Sequence, residues 1–563
     1  MKNNKLMFAA LTVVGLLFAS CGSNLKPLPE NSINVTPSPL ELVGTKVPVT
    51  INGAFPAGWF NKNAVITVTP VLKYQGQEML GIPQTYQGEN VAGNGIVIPQ
   101  KSGGTFTLKS TFDYVAAMQK SELYLRFDAG IKGKSFLLPD LKIADGVSST
   151  ASLASALGVT PAEAPDKYQR IIKEAYDADI MFLIQQAELR SSELNSSNLA
   201  AWKDLVKEAN DNDRKYVNVE IAAYASPDGG LELNEKLAEK REKNTAQYLE
   251  KDFSKKQIDT EINAKYTAQD WDGFKQLVEA SSLQDKELVL RVLSMYSDPE
   301  TREREIKNIS VVYKELAETI LPKLRRSRLI ANIEIIGKTD EELVKAIKSN
   351  STGDLSVEEL LYAANLTGID KEAVYTLITQ KYPDDYRGWN NLGAYYYAAG
   401  QTDKANSLFS KALSLSPKSA EANMNTALNA LENNDLSKAQ ELLGLASQAN
   451  TANEALGLLY LKQGDYSKAV QAFGDAKTNN AAVAQILNKD YNKAQQTLKA
   501  VTNKDAQTSY LSAIVAARTN NIAGVAGNLK EAIQKDPDIK KYAGSDLEIA
   551  KFLTNPDISN MLK

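Results

Sequence analysis

The chain has 563 residues, 43% of them apolar, which is enough for several domains with cores of their own. It contains no histidine and one cysteine, so Ser-His-Asp and Cys-His chemistry, histidine-ligated zinc and any disulfide within the chain are excluded. Lys and Arg number 64 against 68 Asp and Glu, a net charge of −4 without the basic excess of a nucleic-acid binder; with no Gly-rich phosphate loop or paired-carboxylate signature, no enzyme activity, cofactor or metal is expected.

Lys2 and Lys5 open the chain, and an apolar stretch over 6–18 follows, shorter than the ~20 residues a bilayer-spanning helix needs. Ala19 and Ser20 then supply small residues directly before Cys21. This order resembles a bacterial lipoprotein signal, which implies that residues 1–20 are removed and that Cys21 is lipidated. An ordinary secretory signal ending near a cysteine is the alternative. Residues 21–34 are polar, carry Pro27 and Pro29, and suit a tether. Their only acidic residue is Glu30. Surface-exported lipoproteins of the Bacteroidota carry an acidic cluster here, so the resemblance implies a periplasm-facing chain anchored in the outer membrane.

From 35 to 145 the pattern is β. The runs 47–51, 64–72, 105–108 and 123–127 are rich in Val, Ile, Thr, Tyr and Phe and are set off by Gly, Pro and Asn. Residues 65–69 alternate with period two, as a strand with one buried face requires. This spacing predicts an all-β immunoglobulin-like sandwich, equally suited to be a spacer or a binder. Residues 146–166, rich in Ser, Ala and Thr with Pro161 and Pro165, read as a linker.

Residues 167–345 alternate strand and helix, with strands over 179–184 and 217–224 and helices over 199–209 and 231–250, which predicts an α/β layer. The second strand leads into Ala225-Ser226-Pro227-Asp228-Gly229, followed by Asn234, Leu237 and Arg241. These offsets resemble the OmpA-like cell-wall-binding family, with Ser226 standing where the family has aspartate. The resemblance implies that Arg241 forks onto a carboxylate of peptidoglycan diaminopimelate. Neutral Ser226 cannot take the ligand's ammonium, which leaves Asp228 as the candidate. Ser226, Asp228, Asn234 and Arg241 are thus the peptidoglycan-binding candidates. The alternative for Arg241 is a structural one, a cap or a salt bridge to Glu239 or Glu242 of its own helix. A helical insertion is read over 253–324 and a basic turn into a last strand over 324–335, an arrangement similar to extended OmpA-family proteins of the Bacteroidota. Thr339 and Glu342 have the spacing of a capping box.

The region 346–563 is predicted to be all-α and repetitive. Residues 386–419 resemble a tetratricopeptide repeat through Trp389, Leu392, Gly393, Tyr396, Ala405, Phe409, Ala412 and Pro417. Gly393 and Ala405 let two helices approach, Tyr396 and Phe409 fill the space between them, and Pro417 stops the second helix. The triplet recurs at Ala439, Leu443 and Ala446, at Ala469, Phe473 and Ala476, at Ala494 and Leu498, and at Leu529, Ala532 and Pro537. Uneven spacing predicts an irregular superhelix. An opening pair is expected over 355–382 and a closing helix over 546–562. The fold's groove takes peptides or partner proteins; an empty groove, or one packed on the preceding domain, is the alternative.

The reading is a multidomain, non-catalytic outer-membrane lipoprotein: β-sandwich, α/β OmpA-like domain with a helical insertion, and tetratricopeptide superhelix. Its expected partners are the membrane through Cys21, a protein or peptide in the groove, and peptidoglycan. The rival reading is a surface-exposed subunit of a fimbrial or nutrient-capture complex.

Overall fold

A computed structural model describes residues 27–563, so the predicted signal, Cys21 and the first part of the tether lie outside the described residues. The chain divides into two compact units, one formed by the segment up to Pro165 with Lys371–Lys563, the other by Asp166–Asp370.

In the first unit the four runs read as strands all lie within observed strands. Lys46–Phe55 is the middle of a three-stranded sheet, between Ile33–Thr36 and Gly104–Asp113. Ala64–Tyr74 pairs along its whole length with Ser121–Ile131 in a second, larger sheet. Along Gly104–Asp113 every second residue points inward, so Phe106, Leu108 and Phe112 meet the opposite sheet. Phe55 is the hub of this core, with Trp59, Phe60, Tyr86 and Phe106 ring centroids 4.9–5.3 Å away.

The helical part of the same unit stacks five helix pairs among the described residues, beginning with Tyr386–Ala398 and Thr402–Leu415 and ending with Ala506–Arg518 and Ile522–Lys535. Small residues let each pair close. Ala405, Ala439, Ala469 and Ala494 are fully buried, and a Cβ on Gly393 would meet the Phe409 ring at 2.7 Å. Gly457 has the same relation to Phe473 at 2.8 Å. Gly393→Ala is therefore expected to destabilise the array by ~1–3 kcal/mol; an unchanged thermal transition would mean that Phe409 moves aside freely.

The turns inside the pairs are equally regular. Gly400, Asn434, Gly464, Lys489 and Asn520 all have positive φ, between 55° and 80°, and an Asp at 435, 465 and 490 then caps the second helix through its side chain. Two expectations change. The ring closest to Phe409 is that of Tyr397, at 6.1 Å, while Tyr396 is half-buried and donates its hydroxyl to Glu372. The closing helix expected over 546–562 is two short ones, Leu547–Ala550 and Pro556–Leu562, because the Asn555-Pro556 step interrupts it.

The second unit is a four-stranded mixed sheet ordered Ile171–Met181, Arg326–Ile336, Lys215–Tyr224, Glu261–Thr267, with the last pair parallel. Ser197–Asn210 and Leu231–Lys256 cover one face through Leu199, Trp202, Val206, Leu249 and Phe253. The strand Glu261–Thr267 corrects the expected insertion: it lies at a sheet edge with mostly exposed side chains, so it lacks the apolar run that marks a strand in sequence. The insertion proper spans five helices from Trp271 to Leu324 around its own core of Phe274, Val278, Val289, Leu316 and Leu324. The capping box at Thr339 and Glu342 is present. Its helix Asp340–Lys348 and the next, Val357–Ala363, belong to this unit, while Lys371–Lys381 belongs to the first, so the expected opening pair is divided and the expected boundary at 345 moves to 370.

Candidate functional site

The inner face of the array is made by the first helix of each pair, and it is lined by asparagines. Asn390 and Asn391 on Tyr386–Ala398, Asn425 on Ala420–Glu432 and Asn480 on Asn479–Leu487 are all buried. A buried amide needs partners for two donors and an oxygen. Apart from bonds that Asn390 makes with Asn391 and Asn425, these find them on a single run of main chain within residues 149–165.

The segment expected to be a linker therefore lies along the array. The Ala162 N–H donates to Asn425 Oδ1 at 2.8 Å, while Asn425 Nδ2 and Asn390 Nδ2 donate back to the Ala162 carbonyl at 2.8 and 2.9 Å. Two residues on, the Ala164 N–H donates to Asn391 Oδ1 at 2.7 Å and its carbonyl accepts from Asn391 Nδ2 at 2.9 Å. Asn480 does the same for Ser155, at 3.0 and 2.8 Å. Gln507 Nε2 donates to the Leu153 carbonyl. Asn391, Asn425 and Asn480 each treat one residue as a neighbouring β-strand would, accepting from its N–H and donating to its carbonyl.

The strap's side chains complete the array's core. Ala154, Ala156, Val159 and Ala162 are buried among Tyr397, Met424, Leu458 and their neighbours. It combines two single 3-10 turns, Thr150–Leu153 and Ala156–Gly158, with extended residues between and after them. At its far end Glu163 is reached by Tyr375 and Lys371.

At its beginning the strap is tied by a buried polar cluster. Glu548 Oε1 accepts from Ser148 Oγ at 2.9 Å, Thr150 Oγ1 at 3.0 Å and Arg518 Nε at 3.0 Å. Beside it Asp546 accepts from the Tyr510 hydroxyl at 2.6 Å. The sandwich also touches the array directly: a Cβ on Gly44, whose φ is +62°, would fall 2.2 Å from the Lys462 carbonyl oxygen, so only glycine fits.

Burial pushes the Asp546 carboxyl up to about 6, with the Tyr510 hydrogen bond opposing. The folded pKa lies above the unfolded one, so the associated stability is full below pH ~4 and is lost as pH rises through about 6. The difference in unfolding free energy between the native chain and Asp546→Asn is expected to change by ~2–3 kcal/mol over that window; parallel pH profiles would contradict it.

Sequence reasoning selected the packing positions of the repeats and missed the asparagines. A signal was present: Asn391, Asn425 and Asn480 each stand 14 residues before the packing alanines Ala405, Ala439 and Ala494. A polar residue recurring at a buried slot points to a shared ligand.

The second unit brings Ser226, Asp228, Asn234 and Arg241 to one end of its sheet. Asn234 holds the turn, donating to the carbonyls of Ser226 at 3.0 Å and Gly229 at 2.8 Å. Arg241 is 1% exposed and donates to the carbonyls of Gln186 at 2.9 Å, Tyr224 at 2.7 Å and Leu183 at 3.3 Å. Burial and the nearby positive charge of Arg325 pull its pKa down to about 10. It is a buried tie between chain segments, in place of the open fork expected, and its partners are carbonyls instead of Glu239 or Glu242.

Asp228 is engaged as well. Arg325 Nη2 donates to its Oδ2 at 3.0 Å and Arg325 Nε to Ser226 Oγ at 3.2 Å, while the Ser226 hydroxyl donates to Asp228 Oδ1. Arg325 thus puts a cation on the carboxylate from within the chain. Lys307 of the helical insertion donates to the Asp228 carbonyl at 3.2 Å, closing over the turn.

The tetratricopeptide repeat family profile matches residues 396–460. No match to a curated protein sequence was found. Among solved structures, a tetratricopeptide repeat protein from Parabacteroides merdae is similar at 15% identity over 35% of this chain and 85% of its own, with a TM-score of 0.28. The type IV pilus biogenesis factor PilW is similar at 17% identity over 38% and 96%, with a TM-score of 0.25. Yeast Tom70 is similar at 12% identity over 73% and 72%, with a TM-score of 0.25.

Proposed function

We propose that this chain is a non-catalytic scaffold of the outer membrane, lipid-anchored at Cys21 and facing the periplasm, that recruits partner proteins through its repeats. The observation that carries the reading is the recurring asparagine on the array's inner face. On the strap these amides hydrogen-bond to main chain alone, and a surface that binds main chain along several repeats is built to hold another polypeptide segment. Anchoring rests on the order of residues around Cys21.

Peptidoglycan, implied by the OmpA-like resemblance, is given no part in this proposal. Asp228 already holds Arg325, and Arg241 is buried with three of its N–H groups on carbonyls. The purified full chain is therefore expected to stay in the supernatant when sacculi are sedimented, and co-sedimentation would restore the wall-binding role.

The test of the scaffold is crosslinking in intact envelopes. A partner is expected to crosslink to the full chain and to be lost when residues 386–563 are deleted, while Cys21→Ser is expected to lose acyl label and leave the membrane fraction. A partner retained by the truncated chain, or full membrane association of labelled Cys21→Ser, would overturn the corresponding half.

A further inference from the structure

The site that would receive a partner is already full. We propose that residues 149–165 are a built-in competitor: they keep the inner face of the array closed, and a partner engages by replacing them with a main-chain segment of its own carrying small side chains. The proposal rests on the reading that the repeats recruit a protein, and adds how the site is gated and what it accepts.

Three observations carry it. First, recognition is by main chain. Asn391, Asn425 and Asn480 each take the N–H and the carbonyl of one residue, Ala164, Ala162 and Ser155, so their hydrogen bonds to the strap are all to main chain. Such contacts do not distinguish this chain's segment from another polypeptide. Second, the inward side chains are small apart from Val159. Ala154, Ala156, Ala162 and Ala164 are buried, and a Cβ on Gly158 would lie 3.0 Å from the Asn480 amide. The segment that fits is therefore one with Ala, Gly or Ser at these places. Third, the strap's own regular structure is limited to two short 3-10 turns. Released, it loses no α-helix or sheet of its own, whereas the asparagines left behind need new partners.

The competitor is strong because it is tethered: an intramolecular segment acts at an effective concentration on the order of millimolar. The native chain should then ignore a free peptide of the same sequence. The probe is a fluorescent synthetic peptide of residues 149–165, and the protein is the full chain carrying Ala162→Arg and Ala164→Arg, which places two long cations at buried positions of the strap.

The released variant is expected to bind the peptide at least tenfold more tightly than the native chain does. Adding Asn391→Ala and Asn425→Ala is expected to weaken that binding at least tenfold. Hydrogen exchange should show the amides of Ser155, Ala162 and Ala164 protected in the native chain, and those of the same three positions unprotected after release. An array that melts on release but refolds when the peptide is added also supports replacement.

A released variant that neither binds the peptide nor is refolded by it would show that the strap is a fixed part of the core. Equal binding by the native chain would show that the groove is not closed. A dimer that forms on release and needs Asn425 would make a second copy the exchanging segment and overturn the foreign partner. Peptide binding without any envelope crosslink to the array would leave the gate standing while the scaffold reading fails.

Discussion

Replacing Asn391 and Asn425 together by alanine is expected to lower the stability of the unit that holds the array by about 4 kcal/mol. The two amides satisfy the N–H groups of Ala162 and Ala164 and both of their carbonyls. After the change Asn390 still serves the Ala162 carbonyl, so three buried main-chain groups lose their partners. Each unsatisfied group costs ~1–3 kcal/mol, and the lower half of that range applies where water can enter. Asn433→Ala is the control. Asn433 is exposed and bonds only within its own helix end, so its loss is expected to stay within ~0.5 kcal/mol. Denaturant unfolding followed by far-UV dichroism measures both, and a double variant as stable as the control would mean that the strap is not held by these side chains.

Arg518→Ala is expected to cost about 3 kcal/mol. Glu548 is almost fully buried, and Arg518 supplies its balancing charge by two donors. Removing one partner of a buried pair leaves an uncompensated charge, worth ~3–5 kcal/mol, and the partial exposure of Arg518 places this case at the lower end. The hydroxyls of Ser148 and Thr150 remain on the carboxylate but carry no charge. The double variant Arg518→Ala with Glu548→Gln should recover much of the loss, because the amide needs no counter-ion. Equal destabilisation of single and double variants would assign the effect to lost packing of the arginine stem.

Both predictions fall on residues that escaped the sequence reading, and the reason is physical. Ala405, Phe409 and Gly393 announce themselves because helix pairing imposes a size limit at fixed spacing, and that limit is met inside one repeat. Asn391 and Asn425 answer to a strap more than 220 residues away in sequence, as the separation of 227 between Asn391 and Ala164 shows. Within one repeat nothing distinguishes them from surface asparagines, and only their recurrence 14 residues before the packing alanines of three repeats does. Glu548 and Arg518 likewise look like ordinary helix charges until Ser148 and Thr150 arrive from the end of the sandwich.

The second unit makes the same point through a motif. The offsets from Ser226 to Arg241 were legible, and the structure does gather them around one turn. The occupant of that turn was not legible, because Arg325 reaches Asp228 from 97 residues further along the chain. A charge supplied from that distance in sequence carries no local signature, yet it decides whether the carboxylate is open.

By itself, the order of residues determined the strands whose faces alternate, the helices whose small residues repeat, the absence of histidine chemistry and the capping box at Thr339 and Glu342. These depend on interactions within a few residues or between neighbouring repeats, where periodicity and residue size are enough. Only the tertiary structure decided that residues 149–165 are a strap instead of a linker, that Arg241 is a buried tie, and that Asp228 is already paired. Those outcomes depend on which distant groups a buried amide, guanidinium or carboxylate finds once water is excluded, and desolvation makes that choice unavoidable without recording it in the neighbouring sequence.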